Sequence, residues 1–159
     1  MKILSTRDVG YALITGFTAR IIAWLILRFL NTSSPSEITL PFGVSFAWLT
    51  IIIPTLWILG VQFGYFLGAW ITFFDQFGKF VAIGFTNFAV DAGVLNLLLA
   101  NTGITEGKWF AVFKAMSFIV AVTHSYFWNR TWTFQSQARG SGEFAKFFAV
   151  MVFAIAINV

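Results

Sequence analysis

Asn87 and Asp91 lie one helical turn apart inside an apolar run covering residues 80–100. The i, i+4 spacing puts an amide and a carboxylate on one helix face, with Gly84 on the same side. A carboxylate in such a run must be paired, hydrated or protonated. Two readings stand: a contact or coupling site for a polar or ionic cargo, or a hydrogen-bond anchor between helices. Arg20 interrupts an earlier run, 9–30, at a depth that matches Asp91. An Arg20–Asp91 ion pair is therefore geometrically allowed, and a snorkelling or cavity-lining Arg20 is equally consistent. In the run 110–128, Lys114, Ser117, Ala121, His124 and Trp128 follow a 3-4-3-4 rhythm and share one stripe. His124 suits a helix–helix hydrogen bond or a proton relay, and Lys114 suits an interfacial anchor. The stretch Trp128-Asn129-Arg130-Thr131-Trp132-Thr133-Phe134 follows. It reads as an aromatic belt with a cation, where Arg130 either anchors the span end to headgroups or holds a phosphate bidentately.

These residues need a scaffold, and the composition says which kind. The chain has 159 residues, 58% of them hydrophobic and 10% charged. A soluble domain carries about 25% charged residues to cover its surface. A globular cytoplasmic enzyme and a disordered chain are both excluded, leaving an integral membrane protein. With no cysteine and a single histidine, disulfide, thiolate-zinc, iron–sulfur and His-cluster metal sites are excluded too. The net charge of +4 comes from cations scattered between apolar blocks, which is membrane topology rather than a nucleic-acid surface.

Crossing about 30 Å of hydrocarbon takes roughly 20 helical residues. The spacing predicts an all-α, polytopic transmembrane bundle with about five hydrophobic spans. The first is 9–30, followed by a polar turn at 31–40. The second block, 44–74, is too long for one upright span and predicts a tilt, kink or break, with Pro54 the obvious place. In it Gly60, Gly64 and Gly68 form a small-residue stripe for close helix approach. Asp75, Gln76, Gly78 and Lys79 then read as a polar hinge before spans 80–100 and 110–128. A Gly/Ser loop at 135–142 leads to a last run from Phe144 that stops at Val159. That run is about 24 Å long and is expected to be a truncated span. With the N-terminus inside, Lys2, Arg7, Lys79, Arg130, Arg139 and Lys146 fall on the inner side. Arg28, Lys108 and Lys114 fall outside. The bias predicts a cytoplasmic N-terminus.

The order of motifs carries a resemblance. Phe77-Gly78-Lys79-Phe80-Val81-Ala82-Ile83-Gly84 opens a span, Asn87 and Asp91 follow, and the next span ends in Asn129-Arg130-x-Trp132-x-Phe134. Phe144-Ala145-Lys146-Phe147-Phe148 opens another. This order resembles the GtrA-like membrane proteins over about 77–159. The resemblance implies a family core at 76–159, C-terminally incomplete, after a two-span extension at 1–75 of unknown role. It also implies a bacterial inner-membrane protein that translocates, or helps translocate, polyprenyl-phosphate-linked sugars for cell-surface polysaccharide synthesis. Asn87 and Asp91 would then bind sugar hydroxyls. Arg130 beside Asn129, and Lys79, would hold the phosphate at the inner face, with Arg20, Ser117 and His124 as further polar groups inside the membrane. Partners would be the lipid-linked sugar, membrane lipid, a glycosyltransferase and a second copy of the chain, with no cofactor. The alternatives are a non-transporting anchor for a glycosyltransferase and a small ion-coupled exporter. An enzyme is not expected, because the chain has no Asp-x-Asp motif, no phosphate-cradling glycine loop and no nucleophile–base pair.

Overall fold

A computed structural model describes residues 2–30, 39–40 and 44–135. The expected span from Phe144, the Gly/Ser loop with Arg139, Lys146 and most of the 31–40 turn lie outside the described residues. Four long helices account for nearly all of what is described. They are α1 (Thr6–Leu30), α2 (Leu49–Gly68), α3 (Phe74–Thr102) and α4 (Gly107–Trp128). A two-residue antiparallel ladder, β1 (Thr39–Leu40) with β2 (Val44–Ser45), precedes α2. All four helices are long and apolar enough to cross a bilayer.

Their surface is inverted relative to a soluble bundle. Phe63, Phe73, Phe85 and Phe88 stand on the outside, all at least 60% exposed, while Thr15, Thr86 and Ser117 are fully buried. This arrangement is stable only where the surroundings are hydrocarbon. Helices in lipid gain nothing from hiding apolar surface, so close packing and internal hydrogen bonds must hold them.

The helices run up and down, with α3 central. Helix α3 packs on α1, α2 and α4. Its seam with α1 has a constant register. Asp8 meets Lys79, Thr15 meets Thr86 and Ile22 meets the open side of Gly93, each pair 71 positions apart in sequence. Contacts that repeat every seven residues mark two parallel helices held along a coiled-coil-like seam. Thr86 ties three helices together. Its hydroxyl accepts from Trp57 Nε1 at 3.0 Å and can donate to Ala82 O at 3.0 Å or Thr15 O at 3.3 Å.

The second apolar block does break, but not at Pro54. The chain turns at residues 69–73, after Gly68, and Pro54 sits within α2. Pro54 lies against Gly16 of α1, where a Cβ would come within 2.8 Å of its Cα. The glycine stripe serves the next contact. Gly64 lies against Phe74 O and Gly78, and Gly68 against Asp75. The expected polar hinge at 75–79 is helical, because α3 starts at Phe74. Tertiary partners explain this. Lys79 finds Asp8, Asp75 pairs with Lys2 at 3.0 Å, and Gly78 lets α2 come close. Helix α3 ends at Gly103, whose φ of +69° closes the helix with a bond from its N–H to Leu99 O. Helix α4 starts at Gly107 rather than near Phe110, and passes directly into a π-helical turn, Asn129–Thr133.

Candidate functional site

Three polar groupings stack along the bundle. The lowest is a cage around Asp8. Ser5 and Asp8 form a reciprocal cap at the start of α1: Asp8 N donates to Ser5 Oγ at 3.1 Å and Ser5 N donates to Asp8 Oδ2 at 3.3 Å. The same carboxylate receives Lys79 Nζ at 2.7 Å, Trp132 Nε1 at 2.9 Å, Tyr65 OH at 2.9 Å and Ser5 Oγ at 2.7 Å. Every helix therefore sends a group to one buried anion: Asp8 from α1, Tyr65 from α2, Lys79 from α3, and Trp132 from the turn after α4. Asp8, Tyr65, Lys79 and Trp132 are all at most 5% exposed. A charge pair this deep in the protein holds only because the remaining lone pairs and protons are also satisfied.

Lys79 is thus a structural cation in this arrangement, with the Tyr65 and Trp132 rings 5.3 and 6.0 Å from its Nζ. Local sequence assigns Asp8 no partner. The signal that was present is Ser5-x-x-Asp8 before an apolar run, a helix-start pattern. It announces the cap but not a partner 71 residues away.

The second grouping is a cleft of about 250 Å³ between α3 and α4. Phe80, Asn87, Ser125, Tyr126, Asn129 and Phe134 line it. Asn87 Oδ1 is buried and, among the described residues, has no hydrogen-bond partner. An acceptor left in that state costs about 1–3 kcal/mol. Asn129 is committed to its own helix: Nδ2 donates to Ser125 O at 3.0 Å and Ser125 Oγ at 3.1 Å, and Oδ1 accepts from Thr133 Oγ1 at 3.0 Å. Arg130 lies over the Tyr126 ring, 5.9 Å from its centre, with Nη1 3.5 Å from the phenol oxygen. The structure therefore brings Asn87, Asn129 and Arg130 to one end of the α3–α4 interface and puts Lys79 elsewhere.

The third grouping lies farther along α3. Asp91 receives Lys114 Nζ at 2.6 Å and Ser117 Oγ at 2.6 Å. The partner of Asp91 is thus Lys114 of α4 and not Arg20. Lys114, its side chain 36% exposed, is thus an ion-pair partner. Arg20 lies at the expected depth but stacks on Phe46, 4.2 Å from the ring centre, and its buried Nε has no partner among the described residues. The stripe containing Ser117, Ala121 and Trp128 is a packing seam. Ser117 and Ala121 are buried, and Trp128 meets Tyr11 of α1 edge-on at 5.5 Å. His124 sits on this seam 6.2 Å from the Trp128 ring, with Nδ1 buried and unpartnered among the described residues.

Asp91→Asn with Lys114→Met should show coupling in a double-mutant cycle of unfolding in mixed micelles. The expected size is about 1–2 kcal/mol, since the Lys114 side chain, 36% exposed, can snorkel outward when left alone. Asp91→Asn with Arg20→Met should be additive to within about 0.5 kcal/mol. Coupling to Arg20 and none to Lys114 would reverse the assignment.

Among the described residues no group of three or more His, Asp or Glu side chains is placed to hold a metal. The cleft beside Asn87 instead suits neutral polar ligands, with amides, hydroxyls and an aromatic wall.

No curated protein and no solved structure matches the chain. A family model described as GtrA/DPMS, transmembrane domain matches residues 79–159. The matched stretch opens at Lys79 and takes in Asn87, Asp91, α4 and the Asn129–Thr133 turn. Half of the chain is covered, and the chain belongs to this family of multi-pass membrane proteins concerned with glycosyl-carrier lipids.

Proposed function

We propose that the chain translocates, or helps translocate, polyprenyl-phosphate-linked sugars across the bacterial inner membrane, with the α3–α4 cleft receiving the headgroup. The observation that carries this reading is Asn87, which lines the cleft and whose buried carbonyl oxygen has no partner among the described residues. An amide oxygen accepts a hydrogen bond from a sugar hydroxyl. A sugar phosphate cannot enter hydrocarbon unaided, because each unsatisfied polar group costs several kcal/mol there. Ser125 supplies a hydroxyl, Tyr126 a face for the sugar ring, and Arg130 the cation for the phosphate. Asp91 is neutralised by Lys114 and shapes the cleft from one turn away rather than touching phosphate. The role is non-catalytic, in keeping with the family's general character. The cation bias supports a cytoplasmic N-terminus, which places Arg130 where the lipid-linked sugar is made.

Asn87→Ala should lower transfer of sugar to the outer face by about ten-fold or more, the value of one well-placed buried hydrogen bond. Cytoplasmic synthesis of the lipid-linked sugar should be unchanged. Purified protein in liposomes should move a fluorescent lipid-linked sugar between leaflets, and the variant should not. If the intact protein moves none, the translocase reading fails, and the chain becomes a non-transporting partner of a glycosyltransferase.

A further inference from the structure

An apolar groove of about 420 Å³ runs between α2 and α3. Trp57, Gly60, Phe63, Phe77, Val81 and Phe85 are among its walls, and among the described residues no charged side chain lines it. Its floor is backbone, because Gly64 and Gly78 bring α2 and α3 into direct contact. The groove lies within the membrane-spanning parts of both helices and opens sideways between exposed aromatic rings.

A second feature decides what occupies it. Val81 and Phe85 also line a shallow notch whose other walls are Gly84 and Phe88. Among the described residues, nothing stands within 4 Å of where a Cβ on Gly84 would be. It is also three residues before Asn87 and four after Phe80, so it adjoins both on the helix surface, and both line the polar cleft. Polar cleft, bare notch and apolar groove are therefore neighbouring sectors of the exposed face of α3. A ligand spanning all three has a hydrogen-bonding head at one end and a long hydrocarbon chain at the other.

The geometry points to the α2–α3 groove as the seat of the hydrocarbon chain of the same lipid whose head enters the α3–α4 cleft, with Gly84 as the saddle over which the chain passes. This rests on the headgroup reading above and adds the residues that select for a chain. Packing, rather than escape from water, sets the preference, since the chain is already in lipid. Shape therefore matters more than chain length. Filling the saddle or the groove should block the chain without disturbing the fold, because Gly60, like Gly84, has open space at its Cβ position. Replacing either glycine also raises helix propensity.

The test uses the full chain in nanodiscs and a long-chain polyprenyl phosphate carrying a diazirine in its chain. Irradiation should label peptides covering 56–67 and 74–85. Unlabelled polyprenyl phosphate should compete, and excess phosphatidylglycerol should not. Gly60→Phe and Gly84→Leu should each lower that label several-fold. Equal competition by phosphatidylglycerol would assign the groove to ordinary bilayer lipid and overturn the proposal. Absence of label there in the intact protein, the result if a protein segment or second copy covers the groove, would overturn it as well. Asn87→Ala separates the two readings. Label lost with Asn87→Ala but kept in both glycine variants removes the groove and leaves the cleft. Label lost only in the glycine variants keeps the groove and removes the headgroup site.

Discussion

Asp8→Ala should destabilise the bundle by about 3–5 kcal/mol, the cost of stranding a buried charge. The change leaves Lys79, only 4% exposed, with no anion, and removes the acceptor of the Tyr65 hydroxyl and the Trp132 indole. Lys79 cannot snorkel as Lys114 can, because rings close around it. Unfolding in mixed micelles measures the loss. Asp8→Leu combined with Lys79→Met should recover most of it, since an apolar pair of similar volume is often no worse than a buried ion pair. Trp132→Phe keeps the packing, removes one donor and should cost about 1 kcal/mol. A loss below about 1 kcal/mol for Asp8→Ala would show that the cage admits water and that its hydrogen bonds are replaceable. Residues before the matched segment and residues within it meet at this point. Asp8 and Tyr65 come from before the matched residues, while Lys79 and Trp132 come from within them. Removing α1 should therefore disorder the turn that carries Asn129 and Arg130.

The second large effect is steric. At Gly64 a Cβ would come within 2.8 Å of Phe74 O and 3.0 Å of Gly78 Cα. Both obstacles are backbone, so a rotamer change cannot relieve the clash. Gly64→Leu must push α2 away from α3, and a loss of about 3 kcal/mol is expected, at the upper end for overpacking. Helices in lipid have little other driving force to restore the contact. The same substitution at Gly60, four residues earlier, should be tolerated, since among the described residues nothing stands within 4 Å of its Cβ position. Helical content and unfolding of the two variants, measured side by side, check this. Equal behaviour of Gly64→Leu and Gly60→Leu would mean that α2 and α3 are not in backbone contact.

The sequence by itself determined the class of solvent and the number of described spans. Composition and run length do this because transferring charge or bare backbone into hydrocarbon costs more than any local preference returns. The Asn87–Asp91 face, the glycine stripe and the end of α4 follow from helical period alone. Tertiary structure decided which polar groups satisfy which. Matched depth allowed Arg20 to meet Asp91, yet Lys114 took it, because rotation of α4 about its own axis is set by packing and leaves no trace in a single helix's periodicity. Residues 75–79 read as a hinge by local polarity, and became helix once Asp8 and Lys2 supplied partners from 71 or more positions away. Whether a polar residue breaks a span or starts one depends on what lies beside it, and that neighbour is fixed only when the helices have assembled.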